Sequence, residues 1–488
     1  MNLPFDVIII GAGVTGAATA RELSRYNLRT AVLEKEADVS FGTSKANSGI
    51  IHPGFHATPG TLKACLAPLG NRAFDRLKEE LEFPFERRGS LLVAFTEDEL
   101  LSLQNYFLQG KKNNVPYMEL LSRERTLEAE PNLNPDILGS LHAPTAGIIC
   151  PYEYCFALIE NATRNGVELF TQQEVTRITR KAKKGFIVKT RNGAEFSTRF
   201  IVNAAGLYAD DIAGLVGITD FKILPRKGEE YLLDRRVGNL VKKVIFPLPS
   251  VTSKGMLVIP TVDGPVMVGP TALDIKRKDD FSTTREGLKT VFEHARKMVP
   301  SVRSSDIITA FVGIRPVATG GDFIIGKTRV KGFINAAGIQ SPGLTASPAV
   351  AEMIKNILVK EGLRLEINPS FNPKRKCIAR ARKFIEKRDF NKLEHAIKHN
   401  KDYASLVCRC ENITEAEVVD AIRKGHTTLD ALKFMTRIGT GRCQGGFCTS
   451  RVLDIIHRET GIPVEKITKK GPGSEIVPFL LKKGEKIG

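Results

Sequence analysis

A short pattern near the start of the chain combines three glycines with an acidic residue. Gly11, Gly13 and Gly16 form GxGxxG directly after the β-branched run 7–10, and Glu34 ends the next predicted strand. Such glycines permit a tight turn and a close approach of the backbone to a pyrophosphate, whose charge the following helix N-terminus favours. A carboxylate at Glu34 can accept from both ribose hydroxyls and would repel a 2′-phosphate. The pattern predicts a dinucleotide site but does not choose between FAD and NAD.

Two later segments favour FAD. Residues 41–49 form a small, polar loop soon after Glu34, and its hydroxyl, amide and backbone donors can surround a pyrophosphate and a flavin edge. Residues 338–345 predict a second turn into a helix, whose N-terminal amides can face the electron-rich N1–O2 side of the ring. We therefore expect FAD as the cofactor.

Near the other end of the chain, four cysteines fall in two close pairs. Cys408 and Cys410 are followed after 32 residues by Cys443 and Cys448. Four thiolates in this arrangement suit a metal centre, and the glycines at 445–446 let the second loop fold around it. The residues alone allow an iron–sulfur cluster, zinc, a disulfide pair or free thiols.

Two threonines predict where helices of this cysteine module begin. Thr414 precedes a helical pattern over 415–424 and has Glu417 three residues on, the spacing of a capping box. Thr428 precedes a second pattern over 429–437. The module is expected to be small and helical.

The rest of the chain must position these groups. Residues 5–34 predict strand, glycine turn, helix and strand, and strand–glycine patterns return at 200–206 and 332–338. Short alternating runs between them predict an inserted antiparallel sheet. The predicted fold is an α/β FAD-binding Rossmann-type domain with an inserted α+β antiparallel-sheet substrate domain, followed by the helical four-cysteine module.

The predicted domain boundaries follow these patterns. The oxidoreductase occupies 1–360, a basic helical linker 361–405, the cysteine module 406–460 and a tail 461–488. Within the oxidoreductase, the FAD-binding parts are about 1–85, 145–220 and 305–360, and the substrate-domain parts are about 86–144 and 221–304.

Composition excludes several classes of protein. The 488 residues are 42% hydrophobic and 26% charged, which excludes wholesale disorder. No apolar run predicts a membrane-spanning helix, and residues 1–6 lack a basic region and a cleavage site, so we expect a cytoplasmic location. The formal charge of +18 suits an anionic substrate, an anionic membrane face or simply a lysine-rich surface. Because no nucleic-acid module is found, we expect no nucleic-acid partner.

Several segments in order resemble the glycine/D-amino-acid oxidase-like flavoproteins, and specifically the glycerol-3-phosphate dehydrogenases and oxidases. The resemblance covers about residues 5–360. The segments that carry it are 47–54 with His52, 253–260, 268–274, 313–316 and 341–345. The first of them is shared with L-2-hydroxyglutarate dehydrogenases and does not choose the substrate. The resemblance implies FAD, a two-domain flavoprotein fold and oxidation of a phosphorylated alcohol.

The resemblance also implies roles for individual residues. His52 would be the base near the reacting alcohol, and Lys254, Arg315 and Ser341 would line the substrate pocket. Histidine suits a base for a hydroxyl proton, and an arginine with a lysine can clamp a phosphate dianion. The structural alternatives are a histidine packed near the flavin, an ion pair for Arg315, a solvated loop cation for Lys254 and a helix cap for Ser341.

The glycine pattern and the resemblance together predict a set of cofactor-binding residues. They are Gly11, Ala12, Gly13, Thr15, Gly16, Glu34, Lys35, Thr43, Ser44, Asn47, Ser48, Val175, Ala205, Gly206, Gly313, Arg315, Gly338, Gln340, Gly343, Leu344 and Thr345. Nearby, the cations of Arg226 and Lys227 are expected to face the ring or the substrate. His56 has no matched role and is expected at the surface.

The cysteine module resembles the bacterioferritin-associated-ferredoxin-like [2Fe–2S] domain. This implies a [2Fe–2S] cluster on all four cysteines, with zinc as the alternative. A cluster accepts one electron at a time, which suits a dehydrogenase that feeds another redox protein. The expected reaction is oxidation of sn-glycerol 3-phosphate to dihydroxyacetone phosphate, with a second flavoprotein or electron carrier as partner subunit.

Other functions stay open at this point. An L-2-hydroxy acid dehydrogenase of the 2-hydroxyglutarate type can use Arg315 for a carboxylate, and an imino- or amino-acid dehydrogenase subunit can carry the same cysteine module. A non-catalytic electron-transfer subunit would keep both cofactors without substrate turnover. Peripheral association with the inner face of the membrane, through a partner, is also open.

Overall fold

The computed structural model describes residues 4–181, 185–249 and 255–477. Its strands are Phe5–Ile10 (β1), Thr30–Leu33 (β2), Ile50–Ile51 (β3), Phe85–Arg87 (β4), Ser90–Ala94 (β5), Glu119–Ser122 (β6), Gly139–Ala143 (β7), Gly147–Ile149 (β8), Glu168–Phe170 (β9), Val175–Arg180 (β10), Phe186–Thr190 (β11), Glu195–Asn203 (β12), Ile223–Leu233 (β13), Val244–Pro247 (β14), Leu257–Pro260 (β15), Val266–Gly269 (β16), Leu273–Asp274 (β17), Ile307–Ala318 (β18), Ile324–Lys327 (β19), Phe333–Ala337 (β20), Leu406–Cys408 (β21) and Ile413–Thr414 (β22).

The α-helices lie between and after these strands. They are Val14–Leu23 (α1), Leu62–Leu81 (α2), Glu97–Lys112 (α3), Arg123–Ala129 (α4), Pro151–Arg164 (α5), Ala209–Gly214 (α6), Arg285–Met298 (α7), Gly343–Lys360 (α8), Ala381–Glu386 (α9), Phe390–His399 (α10), Glu415–Arg423 (α11), Leu429–Thr436 (α12) and Thr449–Thr460 (α13). Within the ranges that the structure describes, no helix has the length and apolar character needed to span a bilayer.

The first sheet has β1 between β2 and β12, and the three strands are parallel. β9 continues the sheet beyond β2, and β20 pairs in parallel with the end of β12. The β-branched run Val7–Ile10 is buried, as a strand covered on both faces requires. The carboxyl ends of parallel strands meet at one edge of a sheet. Gly11, Glu34, Ala204 and Gly338, which follow β1, β2, β12 and β20, therefore lie along the same edge.

The second sheet has the order β17-β13-β16-β15-β14-β5-β7-β6 and is antiparallel except where β14 meets β5. β18 also pairs with β13, through residues 307–318 and 223–233. The predicted FAD-binding part that begins at 305 does not agree with this pairing, because β18 finds its cross-strand partners in β13. A small third sheet has the strand order β3-β8-β4, and its strand β3 ends directly before His52.

The chain divides into two compact units. The first contains residues up to Lys35 and Val39–Arg375, and the second contains Glu36–Asp38 with the chain from Lys376. In the second unit, Glu417 completes a capping box with Thr414 at the start of α11. The side chain of Thr428 accepts from the backbone of α12. Both predicted helix starts are confirmed.

The predicted linker, 361–405, is divided between the units. Arg375 forms an ion pair with Glu160 of the first unit. Arg382, at the start of α9, belongs to the second unit, where it pairs with Glu411 at 2.9 Å. The carboxylate of Glu411 also meets Arg437 at 3.2 Å and is 1% exposed, so one buried acid serves two buried guanidinium groups.

Glu411→Ala should destabilise the second unit by about 3–5 kcal/mol, because it removes the buried carboxylate that two buried guanidinium groups share. Hydrogen exchange of the amides in α11 and α12 would measure the change. Glu386→Ala is the matched control: Glu386 pairs with the same Arg382 but is 44% exposed, so its loss should cost about 1 kcal/mol or less. Equal losses in the two variants would contradict the importance assigned to the burial of Glu411.

Candidate active site and cysteine centre

The turn after β1 brings three backbone segments together. Gly11 has φ +105°, and a Cβ there would lie 2.5 Å from the carbonyl oxygen of Ala204, at the end of β12. A Cβ at Gly16 would collide with the carbonyl oxygen of Gly11. Gly13 stands at the N-cap of α1, where it has no side chain to cover the first amides. The turn, the helix and the sheet therefore approach as closely as the dinucleotide pattern predicts.

Glu34 faces this turn from the end of β2. Its Oε2 accepts from the backbone N–H of Ala12 at 2.7 Å, and the side chain is 8% exposed. The N–H of Val14 donates to Ser44 Oγ at 2.9 Å, which joins the polar loop 41–49 to the start of α1. A helix N-terminus, an acid and a hydroxyl-bearing loop thus surround one place, and they suit the phosphates and ribose of a dinucleotide.

The polar loop continues onto the second sheet. Thr43 Oγ1 donates to the carbonyl oxygen of Ile314 at 2.7 Å. Asn47 donates to the carbonyl oxygen of Ser44 at 2.7 Å and accepts from the N–H of Gly49 at 2.9 Å, so its side chain holds the loop's own backbone. These contacts position the loop between the two sheets.

Other predicted cofactor residues lie at the same edge of the first sheet. Ala205 and Gly206 come just after Ala204 at the end of β12, and Gly338 directly follows β20. The N–H of Gly343 donates to the carbonyl oxygen of Gln340 at 2.6 Å, which forms the predicted turn into α8.

Four predicted cofactor residues have mainly structural surroundings. The Lys35 ammonium lies 3.9 Å from the centroid of the Tyr208 ring. Val175, the first residue of β10, is buried in the core, and Thr15 is buried in α1. Leu344 is half-buried in the first turn of α8.

His52 is positioned by its backbone and by its ring. Its N–H donates to Thr345 Oγ1 at 2.8 Å, and its carbonyl oxygen accepts from Asn71 Nδ2 at 2.9 Å. Its Nε2 lies 3.2 Å from Ser341 Oγ, although 289 positions separate the two residues. The ring centroid is 5.9 Å from that of Phe246. The structure therefore brings together the predicted base and one predicted pocket residue.

His56 is not an ordinary surface residue, so that prediction is wrong. Its ring packs against Phe55, Phe246 and Tyr106, at centroid distances of 4.1, 5.1 and 5.7 Å, and it is 6.5 Å from the His52 ring. No local sequence signal indicates this packing, because Tyr106 and Phe246 come from distant elements.

A row of charged side chains crosses β17, β13 and β18. Arg226 stands opposite Asp274 on one side and opposite Arg315 on the other, and opposed residues of antiparallel strands share a face. Arg226 Nε donates to Asp274 Oδ1 at 2.6 Å. Arg315 Nη2 donates to the carbonyl oxygen of Thr271 at 2.7 Å and lies 2.7 Å from where a Cβ of Gly228 would stand. Because Gly228 has no side chain, the Arg315 side chain can lie over this position of β13.

Glu230 continues this row and was not predicted from the sequence. It is 3% exposed, and its Oε1 accepts from Ser48 Oγ at 3.1 Å. Burial raises the pKa of Glu230 to about 7, although Arg315 and Ser48 act in the opposite direction. Burial lowers the pKa of Arg315, and the nearby Glu230 acts to raise it. The two-residue alternation from Arg226 could have placed Glu230 on this face, but its burial depends on the distant loop that carries Ser48.

The other predicted cations of this region are Lys227 and Lys254. Lys227 points to the opposite face, where its ammonium donates to Asp280 at 2.7 Å and to the carbonyl oxygen of Ser282 at 2.9 Å. The expectation that Lys227 faces the ring or the substrate is wrong, because consecutive strand residues alternate between faces. Lys254 lies outside the described residues.

The cysteine centre gathers sulfur atoms from both loops. Cys408 Sγ is 3.6 Å from Cys410 Sγ, which is 3.9 Å from Cys443 Sγ. The Cys448 thiol donates to the Cys408 sulfur and lowers the pKa of Cys408 to about 6, while this contact raises the pKa of Cys448. Four adjacent sulfurs cannot all be ionised without a cation among them. The donor set therefore fits a four-thiolate metal centre, either [2Fe–2S] or zinc by geometry alone.

Gly313→Ala should prevent normal loading with FAD. A Cβ at Gly313 would collide with the carbonyl oxygen of Ala46, so the polar loop must move away from β18. We expect flavin content after gel filtration to fall at least several-fold. Gly326→Ala on β19 is the control, because a Cβ there meets no atom within 4 Å. Full flavin content in both variants would contradict the role assigned to this contact.

The buried Glu230 carboxyl should make stability depend on pH. The folded protein keeps this proton up to about pH 7, whereas the unfolded chain releases it near the ordinary value of 4.5. Between these values the folded state binds more protons, so the free energy of unfolding falls as pH rises.

Glu230→Gln removes this pH-dependent loss of stability, because an amide does not ionise. The stability of the variant relative to the wild type should therefore increase from about pH 5 to about pH 7.5, by up to roughly 3 kcal/mol. Chemical denaturation across this pH range would measure it. A difference that is constant or that shrinks with pH would show that Glu230 ionises normally.

The chain matches two family models. Residues 6–357 match FAD dependent oxidoreductases, and residues 406–458 match the BFD-like [2Fe-2S] binding domain. The second match favours the iron–sulfur cluster over zinc for the four cysteines.

Known proteins resemble the chain at full length and over the flavin part. It is 47% identical over 476 residues to the glycerol 3-phosphate dehydrogenase of Caloramator mitchellensis, covering 97% of this chain and 98% of that protein. It is 34% identical over 377 residues to the glycerol 3-phosphate oxidase of Mycoplasma genitalium, covering 75% of this chain and 98% of that protein.

Among solved structures, the FAD-bound, dithionite-reduced L-alpha-glycerophosphate oxidase of Mycoplasma pneumoniae matches with a TM-score of 0.73 and 32% identity. The match covers 78% of this chain and all of that one. The fold, the glycine turn and the cysteine centre agree with these matches. The chain belongs to the FAD-dependent oxidoreductase family and carries a BFD-like [2Fe–2S] binding domain.

Proposed function

We propose that this chain oxidises sn-glycerol 3-phosphate to dihydroxyacetone phosphate, with a partner protein as the final electron acceptor. The observation that carries the proposal is the contact of His52 Nε2 with Ser341 Oγ at 3.2 Å, within the predicted flavin turn 338–345. Similarity over nearly the whole chain to a glycerol 3-phosphate dehydrogenase supports the substrate. When bound, FAD supplies the hydride acceptor and the cluster supplies one-electron chemistry.

His52 has the role of the base. Oxidation of the carbinol carbon requires removal of its hydroxyl proton, and Nε2 is the ring nitrogen that faces Ser341. Ser341 orients the ring, while the bonds from Thr345 and Asn71 hold the backbone on both sides of the imidazole. Catalysis of this kind depends on such positioning, since the base must lie within hydrogen-bond reach of the proton.

Arg315 has the role of the phosphate cation. Its guanidinium is held by the carbonyl oxygen of Thr271 and lies on the face that carries Arg226. A guanidinium offers several donors in one plane and suits a phosphate. Lys254 remains the proposed second cation.

A protein acceptor has access to the cysteine centre. Cys410 is exposed, and Phe447, which directly precedes Cys448, is 86% exposed. A large exposed apolar side chain beside a redox centre suits a transient protein contact. The partner subunit, the cytoplasmic location and any peripheral membrane association belong to this proposal.

An anaerobic titration with glycerol 3-phosphate tests the substrate. The flavin absorption should bleach, and a reduced-cluster signal should appear in the EPR spectrum. His52→Gln should slow flavin reduction by roughly 10²–10⁴-fold with little change in substrate affinity. Arg315→Ala should instead weaken affinity by at least tenfold. Arg277→Ala is the control, because Arg277 is an exposed residue paired with Asp279.

Other results would identify the alternatives. Bleaching by L-2-hydroxyglutarate or by an imino acid, but not by glycerol 3-phosphate, would assign one of those dehydrogenase activities instead. A flavin that no substrate bleaches, yet that a partner protein reduces, would indicate a non-catalytic electron-transfer subunit. Unchanged kinetics in His52→Gln would contradict the role of the base.

A further inference from the structure

The carboxyl group of Glu230 has an oxygen that the protein does not satisfy. Its Oε1 accepts from Ser48, but its buried Oε2 has no hydrogen-bond partner in the described part of the chain. Buried polar atoms in native proteins are almost always paired. This oxygen is therefore available to accept a hydrogen bond from a group that the protein does not supply.

The surroundings of Glu230 limit what that group can be. Ser48 belongs to the predicted flavin loop, and the guanidinium of Arg315 is the charged neighbour of Glu230 on the same face. Above about pH 7 Glu230 is a carboxylate, which only accepts, so there the bound group must donate a hydrogen. The phosphate dianion of the substrate has no hydrogen to donate. The donors left on glycerol 3-phosphate are its two hydroxyl groups, of which His52 takes the reacting one.

We propose that Glu230 is a specificity-determining residue whose free carboxyl oxygen accepts a hydrogen bond from the non-reacting hydroxyl of glycerol 3-phosphate. This inference rests on the proposed function and deepens it. The substrate is only three carbons long, so the adjacent Arg315 and Glu230 side chains can contact its phosphate and its terminal hydroxyl together. A substrate with a carboxylate in place of that hydroxyl would meet the Glu230 carboxylate and be repelled.

The test removes the terminal hydroxyl of the substrate and the carboxyl group of Glu230, separately and together. The four combinations form a double-mutant cycle between substrate and protein. The substrates are glycerol 3-phosphate and 2-hydroxypropyl phosphate, which lacks only the terminal hydroxyl. They are assayed anaerobically with the holoenzyme at about pH 8, where the carboxyl is ionised. Wild type should prefer glycerol 3-phosphate by at least 100-fold in kcat/KM, since a site built to bind a hydroxyl rejects the analogue without it.

Glu230→Ala should reduce this preference to nearly one, because the acceptor is gone. Glu230→Gln keeps the shape and an amide oxygen but loses the charge, so the preference should fall about tenfold. Glu229→Gln is the matched control. Glu229 is the adjacent residue, is 1% exposed and bonds to Thr284 on the opposite face, so its variant should keep the wild-type preference.

Equilibrium binding provides a readout without turnover. Calorimetry on the holoenzyme compares dihydroxyacetone phosphate with hydroxyacetone phosphate, which differ by the same hydroxyl. Wild type should bind the first at least tenfold more tightly, and Glu230→Ala should bind both equally.

Several results would overturn the inference. The first is a wild type that does not distinguish the paired ligands. The second is a Glu230→Ala variant that loses activity toward both substrates by the same factor, which would assign Glu230 to the packing of Ser48, Arg315 or the flavin. If Glu230→Ala fails to retain flavin, Glu230→Gln decides, and an unchanged preference in that variant contradicts the proposal. Failure of the proposed function is recognised separately, as a wild-type flavin that glycerol 3-phosphate does not bleach.

Discussion

The carbonyl oxygen of Ala46 packs against β18 at Gly313, where any side chain would collide with it. This contact brings the polar loop after β2 onto the second sheet. Thr43 then reaches the carbonyl oxygen of Ile314, and Ser48 reaches Glu230. The loop that carries several predicted cofactor residues is thereby held against the strands that carry Arg315 and Glu230.

Four charged residues lie on the face of the second sheet that this loop contacts. Asp274, Arg226, Arg315 and Glu230 occupy one face across three strands, with the two acids at the ends of the row and the two cations between them. Asp274 is exposed, whereas Glu230 is buried. Because an unpaired charge is costly where it is buried, Glu230 stabilises Arg315 before any ligand binds. Arg226 is tied to Asp274, whereas Arg315 is held by a backbone carbonyl and faces a carboxyl whose pKa is near neutrality. This difference makes Arg315 the cation better suited to exchange its partners for an anionic substrate.

The cysteine module is stabilised by helix caps, a buried ion-pair cluster and its four sulfur atoms. Its helices begin at threonine caps, and the buried Glu411 holds two arginines together. The sulfurs of its two loops lie so close that all four can be ionised only when a cation lies among them. Cys410 and Phe447 lie at the surface of this module, so the centre is not fully enclosed by it.

Features that depend on local physics could be predicted from the amino-acid sequence alone. The glycine turn with Glu34, the paired cysteines, and the caps at Thr414 and Thr428 each depend on residues a few positions apart, or on one strand–turn–helix unit, and the structure agrees with them. A resemblance to known flavoproteins predicted His52 as the base and Ser341 as a residue of the substrate pocket, and the structure brings the two side chains to 3.2 Å.

Long-range packing, by contrast, determines which distant side chains share a face. It packs His56 into an aromatic cluster and buries Glu230 beneath the loop of Ser48. It also assigns β18 to the second sheet. Each of these outcomes is set by contacts between residues far apart in the chain, and such contacts leave no periodicity or spacing in the sequence to be recognised.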